Sequence, residues 1–187
     1  MGLNPLPYPP STERNNAPKL RSLSPRLVLA GLLLLAITSK MIARVFLQEF
    51  MELEACPLCM TQRFFVVAWG VVALIAMLHN PAGWGNRCYA ALCGLCAAGG
   101  GAVAGRHVWL QHLPPDQVPA CGPSLEYMLE TLPFSETLSI VLMGDGNCAE
   151  TMWTFMGLSI PEQTLILFVV TTLVCLWQTL RTYPTRD

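Results

Sequence analysis

Charge is scarce in this chain of 187 residues: only 12% are Asp, Glu, Lys or Arg, where an ordinary soluble domain has about 25%. With 53% hydrophobic residues and a mean hydropathy of +0.46, too few polar groups remain to cover a soluble surface, so a soluble all-α domain of buried helices is the poorer reading. An excess of basic residues is also missing, because 11 Lys and Arg stand against 12 Asp and Glu, and this excludes a broad nucleic-acid-binding face. Proline is absent from four long apolar stretches, although the chain holds 15 prolines. After Arg106, no basic residue occurs up to residue 162, a segment that carries Asp116, Glu126, Glu130, Glu136, Asp145, Glu150 and Glu162. The length allows one domain.

The four apolar stretches cover residues 27–47, 59–78, 88–105 and 164–180, each near the roughly 20 residues that a helix needs to cross a bilayer. They imply an all-α membrane protein, a four-transmembrane-helix bundle with two outer loops at about 48–58 and 106–162. The wholly apolar run 27–37 follows Arg26 and has the length of a signal-peptide core, but no small-x-small cleavage site comes after it, so it reads as a retained helix. Lys40 and Arg44 lie one turn apart toward its far end, where long basic side chains can snorkel to the interface. Arg14, Lys19, Arg21 and Arg26 in the N-terminal segment, Arg87 between the second and third helices, and Arg181 and Arg186 at the end place those three segments on the inner side and both loops outside. Residues 1–25, rich in proline and without a periodic apolar face, are expected to be a disordered cytoplasmic tail. Residues 26–180 form the membrane domain, and 181–187 a second cytoplasmic tail.

The eight cysteines divide with this topology. Cys88, Cys93, Cys96 and Cys175 fall in apolar helices; the motif Cys93-Gly94-Leu95-Cys96 sits in a Gly/Ala-rich run, where thiols are poor nucleophiles and small residues serve helix packing. Cys56, Cys59, Cys121 and Cys148 fall outside, where an oxidising compartment such as the bacterial periplasm preserves disulfides. In Cys56-Pro57-Leu58-Cys59, Pro57 suits the first turn of the second helix, and the positive end of the helix dipole favours thiolate. Arg63, four residues after Cys59, shares its helix face. A guanidinium there can stabilise a thiolate and negative charge on a reduced acceptor, or can simply anchor the helix at the interface.

Between Cys121 and Cys148 the spacing predicts two short amphipathic surface helices. Ser124 caps the first, with Leu125, Met128, Leu129 and Leu132 on one face before Pro133; Ser135 caps the second, with Leu138, Val141 and Leu142 before Gly144. A Cys121–Cys148 bridge would close this segment into a loop, and the chain-entropy model gives such a crosslink about 3–4 kcal/mol.

These residues together resemble the bacterial disulfide bond formation protein DsbB family. The resemblance runs from about residue 25 to 180 and rests on A-C-P-L-C-x-x-Q-R (55–63), R-H-V-W-L-Q (106–111), A-C-G-P-S-L-E-Y-M (120–128) and G-D-G-N-C-A-E-T-M-W-T-F-M-G-L (144–158), in family order. It implies a quinone-dependent thiol oxidase of the bacterial inner membrane that reoxidises a periplasmic DsbA-type dithiol oxidase. By the same resemblance, the partner attacks Cys121, whose disulfide partner is Cys148, and electrons pass to the Cys56–Cys59 pair beside the quinone. Arg63, His107 and Gln111 are the implied cofactor-binding residues, with His107 as a donor to a quinone oxygen and His112 as its rival. The cofactor is ubiquinone or menaquinone, no metal is implied, and a monomer is expected.

Three other readings make different demands on the same residues. A disulfide-stapled structural membrane protein would hold poorly reducible bridges and transfer no electrons. A zinc site on Cys56, Cys59, Cys121 and Cys148 suits the close first pair but not an oxidising compartment. Relatives of vitamin K epoxide reductase also combine four helices with quinone chemistry, yet the order of the motifs here follows DsbB.

Overall fold

The computed structural model describes residues 24–52, 56–81, 83–122 and 125–181. Four of its helices are long and apolar enough to cross a membrane: Pro25–Phe50, Pro57–His79, Trp84–Gln111 and Ile160–Leu180. The protein is thus an all-α, four-span membrane protein. The expected tails and the Ser124 cap lie outside the described residues.

Local chemistry sets where each helix begins. The Ser24 hydroxyl accepts from the Leu27 amide at 3.3 Å, and Pro25 opens α1 (Pro25–Met41). From Ile42 to Phe50 the same span continues as a π-helix, a widened geometry that often marks functional sites. Cys56 is the extended residue before α2 (Pro57–His79), which ends at Asn80 in the left-handed conformation. The third span, α3 (Trp84–Gln111), starts four residues earlier and ends six later than the stretch 88–105. It therefore takes Arg106, His107 and Gln111 out of the expected loop. Hydropathy falls at Arg106, but a helix ends only where backbone bonding stops, and its next proline is Pro114.

Two short helices follow, α4 (Leu125–Thr131) and α5 (Phe134–Met143). Pro133, not Ser135, occupies the cap position of α5. Its carbonyl accepts from the amides of Glu136 and Thr137, both at 3.0 Å, so the cap falls two residues before the expected one. A single turn, α6 (Gly146–Ala149), carries Cys148. Next comes an unforeseen hairpin, β1 (Thr154–Phe155) paired antiparallel with β2 (Leu158–Ser159). Its turn residues Met156 and Gly157 have φ of 54° and 82°, as the tight type I′ turn requires. Two-residue strands are too short to show alternation in sequence. The last span, α7 (Ile160–Leu180), begins four residues before the apolar stretch because of a capping box: Glu162 Oε2 accepts from the Ser159 amide at 2.7 Å, and Ser159 Oγ accepts from the Glu162 amide at 3.5 Å.

The core is built in layers along the bundle. Leu29, Leu32, Ala73, Ala76, Cys93 and Cys175 fill one layer; Ala36, Val66, Trp69, Ala97, Ala104 and Phe168 fill the next; Leu58, Val103, Leu110 and Cys148 close the end that holds the loops. Cys93 and Cys175 are buried here, with the Cys93 thiol 3.7 Å from the Trp69 carbonyl oxygen, consistent with packing. Gly100 lets α3 meet α7: a Cβ there would overlap the ring of Phe168, which itself meets Trp69 edge-on at 5.6 Å. Gly100→Ala is expected to destabilise the bundle by about 1–3 kcal/mol through overpacking, read as a lowered thermal midpoint in detergent, whereas Gly31→Ala, with nothing within 4 Å of the new Cβ, should leave it in place.

Candidate redox site

The first two thiols owe their position to the start of α2. Pro57 begins the helix with Cys56 just outside it and Cys59 in its first turn. On α3, the buried His107 reaches both: its Nε2 lies 3.8 Å from Cys56 Sγ and its Nδ1 3.9 Å from Cys59 Sγ. Gln62, also buried, donates from Nε2 to His107 Nδ1 at 3.1 Å.

The third thiol comes from the long loop. Buried Asp145 caps α6, its Oδ1 accepting from the Cys148 amide at 3.3 Å and its Oδ2 from Asn147 Nδ2 at 3.2 Å. This sets Cys148 beneath Leu58 and Leu110 with no exposure. The Cys56 sulfur, the Cys148 sulfur and a ring nitrogen of His107 all lie within 4.8 Å of one another. The adjoining Cys56 thiol and burial push the Cys148 thiol well above the ordinary thiol range. It is a poor nucleophile until a base takes its proton.

Cys121, the fourth, is exposed. The Gly146 amide donates to the Ala120 carbonyl at 3.3 Å, and a Cβ on Gly146 would stand 3.1 Å from Cys121 Sγ. The tie brings the two ends of the loop together only because residue 146 is glycine.

Beside Cys59 opens a cavity of about 500 Å³ between α1 with its π-helical extension, α2, the hairpin and α7. Lys40, Phe46, Arg63, Trp153 and Phe155 are among the residues that line it. Phe46 meets Trp153 edge-on at 6.0 Å, Trp153 stacks on Phe155 at 6.0 Å, and Arg63 Nη2 donates to the Ala43 carbonyl at 3.4 Å. Lys40 lines this cavity, while Arg44 pairs with Glu49 at 3.5 Å. Apolar walls, flat aromatic rings and cationic donors suit a flat, largely apolar ring with polar oxygens. A smaller cavity of about 50 Å³ adjoins it and is lined by Cys56, Cys59, Arg63, His107 and Gln111.

Of the expected cofactor-binding residues, Arg63 alone lines the larger cavity. His107 stands behind the thiols, and Gln111 joins two loop elements, accepting from Ser159 Oγ at 2.9 Å and donating to the Glu150 carbonyl at 3.4 Å. His112 is exposed, with Nδ1 2.8 Å from the Val108 carbonyl oxygen of its own helix. Sequence reasoning assigned no role to Gln62, Asp145, Phe46, Trp153 or Phe155. Gln62, Asp145, Trp153 and Phe155 all fall within the motifs quoted above, and Gln62 also stands out as a glutamine inside an apolar helix, one residue before Arg63.

Comparison with known proteins identifies the family. Residues 25–178 match the family model described as disulfide bond formation protein DsbB. A disulfide bond formation protein B of Acinetobacter baumannii is 52% identical over 163 residues, covering 87% of this chain and 95% of the relative. Those of Marinobacter nauticus (48% identity; 84% and 94% covered) and Hahella chejuensis (55%; 72% and 82%) are similar over most of both chains. The chain therefore belongs to the DsbB family of disulfide bond formation proteins.

Proposed function

We propose that this protein reoxidises a DsbA-type periplasmic dithiol oxidase and passes the electrons to a membrane quinone. One observation carries the reading: buried Cys148 adjoins Cys56, and Cys59 lies on the wall of a cavity among the spans, while exposed Cys121 lies beside Gly146, two residues before Cys148. A soluble partner can reach exposed Cys121 but not Cys148, which has no exposure. A lipid-soluble acceptor suits the cavity beside Cys59.

The partner's thiolate attacks Cys121 and breaks the Cys121–Cys148 bond, giving a mixed disulfide and the Cys148 thiol. The partner's second thiol then resolves the mixed disulfide and frees Cys121. Cys148 next attacks Cys56, the nearer sulfur of the Cys56–Cys59 pair, and Cys59 leaves. Arg63, one turn from Cys59 on the same cavity wall, favours the freed Cys59 sulfur as thiolate once the exchanges are complete and orients an acceptor oxygen. A quinone held by Arg63 and the aromatic walls would supply the capacity for two electrons. The membrane domain 26–180 then lies in the bacterial inner membrane with both tails cytoplasmic, both loops periplasmic, and one chain sufficient for the path.

The test is quinone reduction by purified protein in lipid, driven by a reduced DsbA-type partner, with ubiquinone and menaquinone analogues in parallel. Turnover with either is expected. No turnover with both, together with disulfides that resist the reduced partner, would overturn the reading in favour of a stapled structural protein.

A further inference from the structure

The two internal exchanges move protons as well as sulfur bonds, and both the attacking Cys148 thiol and the nearest base are shut off from water, while Cys56 and Cys59 are half-buried. Cys148 has no exposure and His107 is 2% exposed. An attacking thiol must lose its proton and a departing sulfur is helped by gaining one, so a buried exchange needs an internal carrier. His107 is placed for that work, with one ring nitrogen toward each sulfur of the Cys56–Cys59 pair, at 3.8 and 3.9 Å. Its partner Gln62 suits a ring that changes tautomer. With its Nε2 toward the ring, the Gln62 amide donates to Nδ1 and matches a ring proton on Nε2, toward Cys56; turned over, the same amide would accept from an Nδ1 proton. The charged residues lining the small cavity beside the ring are Arg63 and Glu150.

We propose that His107 is a catalytic proton carrier for the exchange between Cys148 and the Cys56–Cys59 pair, accepting at Nε2 and donating from Nδ1. This rests on the thiol path proposed above. In the first exchange, the Cys148 sulfur attacks Cys56; the Cys148–Cys56 bond forms, the Cys56–Cys59 bond breaks, the Cys148 proton goes to Nε2 and the Nδ1 proton goes to Cys59. No net oxidation occurs within the protein. In the second, Cys121 loses its proton to water and attacks Cys148, and Cys56 leaves with the Nε2 proton. Nδ1 recovers a proton from Cys59, which is left as thiolate on the same cavity wall as Arg63. The ring is then back in its starting tautomer. His107 thereby serves the thiols, a role separate from donation to a quinone oxygen.

The experiment uses full-length protein in lipid, freed of quinone and with both disulfides formed. It is mixed with reduced DsbA-type partner, quenched rapidly and alkylated, so that thiols at Cys121 and Cys59 are timed separately by mass spectrometry. In His107→Gln, the Cys59 thiol is expected to appear roughly 10- to 100-fold more slowly, the slowing by heavy water seen in wild type should disappear, and the attack on Cys121 should keep its rate. Should His107→Gln fail to fold, Gln62→Met keeps the imidazole but removes its tautomer partner, and should slow the same step alone. A Cys59 thiol that appears at the wild-type rate, with the heavy-water effect intact, would overturn the role of His107 while leaving the thiol path standing. If wild type shows no reduction of Cys121, the thiol path itself fails and the carrier with it.

Discussion

Cys59→Ser and Cys121→Ser are each expected to reduce partner-driven quinone reduction by at least roughly 10³-fold, since residues that act as a unit fail together, yet electrons should stop at different places in the two variants. Without quinone, fully oxidised wild type holds two disulfides among its outer cysteines and should consume two equivalents of reduced partner. Cys59→Ser keeps one disulfide and should consume one. In Cys121→Ser, the exposed entry sulfur is gone, and Cys148, with no exposure, cannot replace it for a protein-sized partner; consumption should fall to zero. Counting oxidised partner on a gel gives the sequence two, one, zero. A structural protein with inert staples would give zero for all three, and direct access of the partner to Cys56–Cys59 would leave Cys121→Ser active.

The second large effect concerns the last step alone. Arg63→Met is expected to lower quinone reduction about 10²- to 10³-fold, the usual cost of losing one preorganised charged donor in a water-poor site, while uptake of two equivalents in the absence of quinone stays intact. The guanidinium lines the cavity and makes one long bond, to the Ala43 carbonyl at 3.4 Å. Little holds it for structural reasons. Methionine replaces a desolvated charge by apolar volume, a change that is often neutral or stabilising, so loss of activity cannot be assigned to loss of fold. Arg63→Lys should fall between the two, because an ammonium keeps the charge without the planar fork. A variant that loses the two-equivalent uptake as well would place Arg63 in the thiol exchange instead.

The span count was legible from residues alone, since crossing a bilayer demands about 20 apolar residues with no internal breaker, and four stretches meet that demand. Helix ends were not. Helix three keeps its bonding past Arg106 to Gln111, where hydropathy has already fallen, and α7 starts at a polar capping box that a hydropathy window counts as loop. The surface helices were found through periodicity, but Pro133 rather than Ser135 sets the second one's start. Lys40 looked like an anchor at a helix end, and its place on the cavity wall is settled only when the helices pack.

Family membership, four apolar spans and the separation of Cys88, Cys93, Cys96 and Cys175, within apolar helices, from the other four cysteines followed from the amino-acid sequence, because each rests on local composition and on motif order. Tertiary structure alone decided that Cys148 sits against Cys56, that His107 spans the thiol pair with Gln62 behind it, and that Cys59 opens on the aromatic cavity. Those contacts join residues between 45 and 51 positions apart, and for Cys148 farther still. No periodicity or spacing rule reaches that far, for such neighbours meet only once the helices have packed and Asp145 has capped the turn that carries Cys148.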